Sequence, residues 1–138
     1  MAEIEVSVEI NASIDKVWEI VSDLDMEPEF WKGTKEVRNI SKNKNYVTRE
    51  VTIAFRDQKC MQEIKIEPKE KIEIKFTKGI IDGTKIITLT SIDEKTILKA
   101  KWDIKLTGMM GMFTGVIKKH IENGTIQALQ KIKEQTER

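Results

Sequence analysis

Few side chains in this sequence can do chemistry, and the neighbours of each narrow what it can do. His120 is the only histidine among 138 residues. It follows Phe113 by two turns of a candidate helix, only about 20° round the axis, so it should face whatever that helix covers. There an imidazole could hydrogen-bond a ligand carbonyl or hydroxyl, or act as an acid or base with a pKa altered by burial. The alternative is a core histidine satisfied by a backbone or hydroxyl partner. No nucleophile and base pair lies near it in sequence. Arg49 shares a strand face with Val47, Val51, Ile53 and Phe55. That face draws it inward, and a buried guanidinium needs a partner. The partner is either a ligand carboxylate or phosphate, which arginine meets in bidentate geometry, or an internal carboxylate; otherwise the side chain snorkels out near the strand end.

The remaining reactive types point to little. Cys60 is the single cysteine, which excludes an internal disulfide and a cysteine-rich zinc site, and the lone histidine excludes a histidine cluster. Glu50 and Glu63 can approach across neighbouring strands but fall on the expected solvent face, so an acid/base carboxylate pair has no support there. Asp23, Asp25, Glu27 and Glu29 lack the glycine-bearing loop of a calcium site and read as a solvated bend. No cofactor and no metal is expected. Lysine and arginine number 24 against 23 acidic residues, a net charge of +1, which removes the electrostatic case for nucleic acid or an anionic membrane surface. The first ten residues alternate glutamate with aliphatics and resemble neither a signal peptide nor an anchor, so no integral membrane segment and a cytoplasmic location are expected.

The elements that must position these residues are legible from periodicity. The length fits one domain, 1–138. Twenty-one isoleucines, twenty lysines and only eight aromatics imply a framework of β-branched residues. Glu3 to Ile10 alternates strictly and is a half-buried strand. Ser13 is a good N-cap for a helix carrying Ile14, Val17, Trp18, Val21 and Leu24, and the stretch from Asp25 to Trp31, with Pro28 inside, forms a second short helix or tight connection. Strands follow at about 34–41, 45–57, 59–67, 70–77, 83–93 and 95–107, joined by connections too short for parallel crossovers. The result is an antiparallel sheet of seven strands. Leu98, Ala100, Trp102, Ile104 and Leu106 give its last strand one dry face, which the segment from Met109 to about Gln135 must cover. A helix of that span is about 40 Å long, enough to cross the sheet.

This order of elements, with Val8–Val37 (VEINASIDKVWEIVSDLDMEPEFWKGTKEV) and Ala128–Glu137 (ALQKIKEQTE), resembles the START-like, Bet v 1-like (SRPBCC) superfamily, which includes the polyketide cyclase/dehydrase and lipid-transport proteins. The resemblance implies an α+β helix-grip fold: a seven-stranded curved antiparallel sheet wrapped around a long C-terminal helix, with two short helices after the first strand. It also implies a hydrophobic cavity between sheet and helix, open to a lipid, polyketide, quinone-like or other apolar molecule.

Phe30, Trp31, Phe55, Phe76 and Trp102 are the aromatics expected to line such a cavity, or else to fill it as solid core. From the covering segment Met109, Phe113, Ile117 and His120 join them, with Arg49 and His120 orienting the ligand. Met109, Met110 and Met112, interleaved with Gly108, Gly111 and Gly115, form either a loose gate at the cavity mouth or simply the stretch before a late helix start. Three functions follow: binding and sequestration or transfer of a small hydrophobic or amphipathic ligand; a cyclase/aromatase-type enzyme in which His120 or Arg49 polarises a carbonyl; or a protein-interaction domain acting on a chaperone, ribosome or quinone-handling complex through the lysine-rich sheet face. The lack of a catalytic constellation favours the first.

Overall fold

Alternation builds the first strand as expected. In the computed structural model, which describes residues 2–138, β1 (Ala2–Ile10) buries Ile4 and Ile10 and exposes Glu3, Glu5 and Glu9. The Ser13 hydroxyl accepts a hydrogen bond from the Lys16 N–H at 3.4 Å and starts α1 (Ile14–Val21). A 3-10 turn (Leu24–Met26) leads into α2 (Glu27–Phe30), where Pro28 occupies the first turn and its missing N–H costs nothing. Six strands follow: β2 (Thr34–Asn43), β3 (Tyr46–Ile53), β4 (Lys59–Glu67), β5 (Lys71–Lys78), β6 (Ile81–Ile92) and β7 (Lys95–Leu106), and then α3 (Thr114–Glu137). The curved sheet is antiparallel throughout, in the order β1-β7-β6-β5-β4-β3-β2. Its edge strand β2 slips register against β3 twice, between Thr34 and Glu36 and between Asn39 and Ser41.

Beyond β2 running on to Asn43 and α1 stopping at Val21, three further boundaries differ from the periodicity. The expected strand over 45–57 stops at Ile53, because Phe55–Asp57 coil into a 3-10 turn in which Arg56 and Asp57 take positive φ values of 53° and 52°. β6 starts two residues earlier than alternation suggested, and Gly83 at φ +127° absorbs the irregularity inside it. The covering helix begins at Thr114 rather than Met109. Gly108–Phe113 form a 3-10 segment, and the Thr114 hydroxyl fastens it by accepting from the Leu106 N–H at 3.2 Å and donating to the Gly111 carbonyl at 2.8 Å.

The two halves of α3 lie differently on the sheet. Ala128, Leu129, Ile132 and Thr136 in the second half are buried. The end of the helix is tied to β1: Lys133 Nζ donates to the Glu9 carbonyl at 2.8 Å, and Glu137 accepts from the Asn11 N–H at 2.7 Å. The first half buries only Ile117 and Thr125 and stands off from the sheet, with Val116 and His120 exposed. That stand-off leaves space over the middle strands.

Glycine is required at position 83. A Cβ there would meet the Asp103 carbonyl oxygen at 2.0 Å, and φ +127° is closed to L side chains. Gly115, by contrast, has open space around it within a helix. Urea unfolding should show Gly83→Ala losing ~3 kcal/mol or more and Gly115→Ala gaining ~0.5 kcal/mol. Equal midpoints for the two variants would contradict this reading of the backbone.

Candidate functional site

The site begins with a charge forced inward. Val47, Arg49 and Val51 share the inner face of β3, and all three are buried, Arg49 completely. Register sets Arg49 opposite Gln62 of β4, whose Oε1 accepts from Arg49 Nε at 2.8 Å. The other guanidinium nitrogens donate to the Leu24 carbonyl at 3.2 Å and to Glu27 Oε1 at 2.6 Å. The second carboxylate oxygen of Glu27 accepts from the Thr34 hydroxyl at 2.6 Å. Every nitrogen of Arg49 is thus consumed internally. Its contacts are those of an internal ion pair, and it is not among the residues that line the cavity.

A second buried cation stands beside this pair. Lys85 of β6, only 2% exposed, sits opposite Trp102 of β7. Its Nζ lies 3.3 Å from the ring centroid of Trp31 and 4.8 Å from that of Trp102. Contacts of this kind, out of water, contribute about 2 kcal/mol. Trp102 in turn meets Trp31 edge-on and Phe76 nearly parallel, each at 6.3 Å between centroids. Its indole N–H donates to the Thr125 hydroxyl on α3 at 3.1 Å, bridging sheet and helix.

These side chains surround a cavity of about 550 Å³ between the first half of α3 and strands β3 to β7, a volume suited to a small organic ligand. Trp31, Phe76 and Trp102 form the aromatic wall, Phe55 and Ile53 close one side, and Ile117, Ile121 and Gly124 look in from α3. Glu27, Gln62 and Lys85 supply the buried polar surface. His120 also lines the cavity but is exposed, so it stands at the rim and is not the buried polar tip that helical spacing implied.

Of the residues expected at the site, Trp31, Phe55, Phe76, Trp102, Ile117 and His120 converge on the cavity. Four do not. Phe30 points the other way, into a cleft of about 20 Å³ beside Ile20, Leu24 and Leu129, with the Lys131 ammonium 6.0 Å from its ring. Arg49 lies behind the wall. Met109, 90% exposed, and Phe113 project into solvent from the 3-10 segment, because that segment does not continue the helical stripe on which they were counted. Glu27, read as part of a solvated bend, is instead buried at the start of α2. Lys85 and Gln62 were overlooked, although the signal that picked out Arg49 was present for both. Lys85 alternates with Ile87 and Leu89, and Gln62 with Cys60 and Ile64.

The electrostatics make the cluster pH-sensitive. Burial alone would raise the pKa of Glu27, but the charges of Lys85 and Arg49, with hydrogen bonds from Thr34 and Arg49, outweigh it and bring the carboxyl from 4.5 down to about 2. Burial lowers Lys85 from 10.5 to about 8, against the pull of Glu27 and with the repulsion of Arg49. The depressed Glu27 value means a contribution to stability that is complete above pH 4.5 and lost as pH falls toward 2, worth about 3 kcal/mol. Glu27→Gln should therefore be less stable at neutral pH, by ~3 kcal/mol for an unpaired Arg49, and its stability should fall less steeply between pH 4.5 and 2. Chemical denaturation across that range reads both; parallel curves for the two proteins would refute the assignment.

Known proteins share this architecture. A protein of Thermus thermophilus superposes with a TM-score of 0.83 at 12% identity, covering 98% of this chain and 97% of its own. The Zhui aromatase/cyclase of a Streptomyces species gives 0.81 at 15% identity, over 99% of this chain and 94% of its own. A START superfamily protein of Mycobacterium smegmatis gives 0.76 at 15% identity, over 96% and 97%. At such identities the likeness is one of fold. No curated protein matches the sequence. Among the described residues no helix is long and apolar enough to cross a membrane. The family described as polyketide cyclase / dehydrase and lipid transport matches residues 1–137, and with its helix-grip fold the chain belongs to that family, within the START/Bet v 1 (SRPBCC) superfamily.

Proposed function

We propose that this chain binds a small hydrophobic or amphipathic molecule in the cavity between the sheet and the first half of α3, to sequester or transfer it. The observation that carries the reading is the cavity itself: about 550 Å³ held open by an aromatic wall and a helix that stands off from it. Met109 and Phe113 of the covering segment are exposed and do not line the cavity. Burying roughly 200–300 Å² of ligand apolar surface at ~25 cal/mol per Å² supplies about 5–8 kcal/mol before the costs of association. The family description, with its lipid transport and its cyclases, supports the same class of ligand. The cyclase reading draws on the buried donor Lys85 in the wall, which could polarise a carbonyl; the two readings part on turnover.

Gly124 gives a direct test, because it lines the cavity, shares the stripe of Ile117, Ile121 and Ala128, and has nothing within 4 Å of where a Cβ would stand. Gly124→Leu should fill part of the lumen and weaken binding of an apolar probe such as 1-anilinonaphthalene-8-sulfonate at least ~tenfold. Its melting temperature should not fall, since leucine replaces glycine within a helix. Unchanged probe affinity in a folded Gly124→Leu protein would remove the cavity as the binding site. Recovery of a bound natural molecule unaltered after long incubation supports carriage, and appearance of a new product supports the cyclase.

A further inference from the structure

The buried charges around the cavity do not sum to zero. Arg49 and Lys85 carry two positive charges and Glu27 one negative. Both oxygens of Glu27 are taken by Arg49 and Thr34, and among the described residues no carboxylate lies within 4.0 Å of Lys85 Nζ. The faces of Trp31 and Trp102 solvate this ammonium without neutralising it. Glu27 attracts it from beyond salt-bridge distance but is already paired with Arg49, and an excess charge in such surroundings is costly unless something of opposite sign completes it.

A second donor is also unspent. Arg49 Nε can only donate, so Gln62 must present its carbonyl oxygen to it, which turns the amide nitrogen of Gln62 away from that bond. That nitrogen has no acceptor among the described residues, and Gln62 lines the cavity. Register places Gln62 directly opposite Phe76, and Phe76 opposite Gly83, two residues along β6 from Lys85 and on the same face. Two donors therefore flank the Phe76 ring on the sheet side of the lumen.

We infer that the ligand is an apolar carboxylate, its carboxylate against Lys85 with the Gln62 amide as second donor and its apolar body against Phe76, Trp102 and Ile117. This rests on the cavity being a ligand site. A single negative charge brings the buried sum to zero, whereas a dianionic phosphate would leave a negative charge buried and a neutral alcohol would leave Lys85 as it stands. The exposed Lys32 and His120 at the rim add no buried anion.

Three ten-carbon probes of equal chain length test this by calorimetry at pH 7: decanoate, 1-decanol and decyl phosphate. The unmodified protein should bind decanoate ~tenfold more tightly than either of the others, the scale of one charge-assisted hydrogen bond. Lys85→Met should lose that preference, its ratio of decanoate to 1-decanol affinity falling at least ~tenfold. Equal or tighter binding of 1-decanol by the unmodified protein overturns the carboxylate assignment and leaves the binding reading intact. Tighter binding of decyl phosphate overturns it as well, and so does a decanoate preference that survives in Lys85→Met. No binding of any probe overturns the binding reading and this inference together. Should Lys85→Met fail to fold, the three affinities of the unmodified protein still decide.

Discussion

The contact between Arg49 and Glu27 is the constraint on which the upper part of this molecule depends. Two opposite charges have been taken out of water, a step that costs several kcal/mol per ion unless the geometry and the remaining hydrogen bonds are complete. They are complete here: Gln62, Leu24 and Thr34 satisfy what the pair leaves over. Because Glu27 opens the four-residue helix α2, the pair anchors that helix to the sheet. The backbone N–H of Trp31 donates to the Glu27 carbonyl at 2.8 Å, so the anchor also fixes where the indole of Trp31 stands. From there the chain of contacts runs through Lys85 to Trp102 and across to Thr125 on α3.

Polar pairs and aromatic faces thus do in this wall what aliphatic packing does elsewhere in the molecule. Around β1, β7 and the second half of α3 the interior is mostly aliphatic, Ile4, Leu98, Ala100, Ala128 and Leu129, and its two buried hydroxyls, of Thr96 and Thr136, donate to nearby backbone carbonyls. Around the cavity several large side chains are held by directional contacts: Trp102 by its N–H, Lys85 by two rings, Glu27 by two donors. A wall built from directional contacts keeps its shape without an opposing surface to press on, which an aliphatic wall does not. The division between solid core and open lumen follows this division in chemistry.

Much of the fold was legible because isoleucine alternation in the strands and the Ser13 cap are local signals, and short connections leave an antiparallel sheet little freedom. The misplaced start of the final helix has a local cause of a different kind. Gly108 and Gly111 loosen the segment, and only the Thr114 hydroxyl, acting across to Leu106, decides where regular helix begins. The site was legible in part. Period-2 alternation brought Arg49 and Trp102 inward, and the same test applied to Lys85 and Gln62 would have brought them too. Glu27 carried no such signal: four acidic residues in alternation look like a wet surface, and one of them is buried only because Arg49 arrives from a strand 22 residues away in sequence. Phe30 and Trp31 are adjacent, and both border the small cleft, yet only Trp31 reaches the large cavity, which composition does not foretell.

The two register slips in β2 bear on how this sheet ends. An open antiparallel sheet leaves a row of unpaired backbone groups at its margin, a ready template for another strand. Each slip bends that margin, and Lys35, Lys42 and Lys44 stand exposed along it or at its end. A strand from outside would have to follow a doubly kinked line while bringing its own charges against these ammonium groups. The irregularity in β2 therefore works against strand addition at that edge of the sheet.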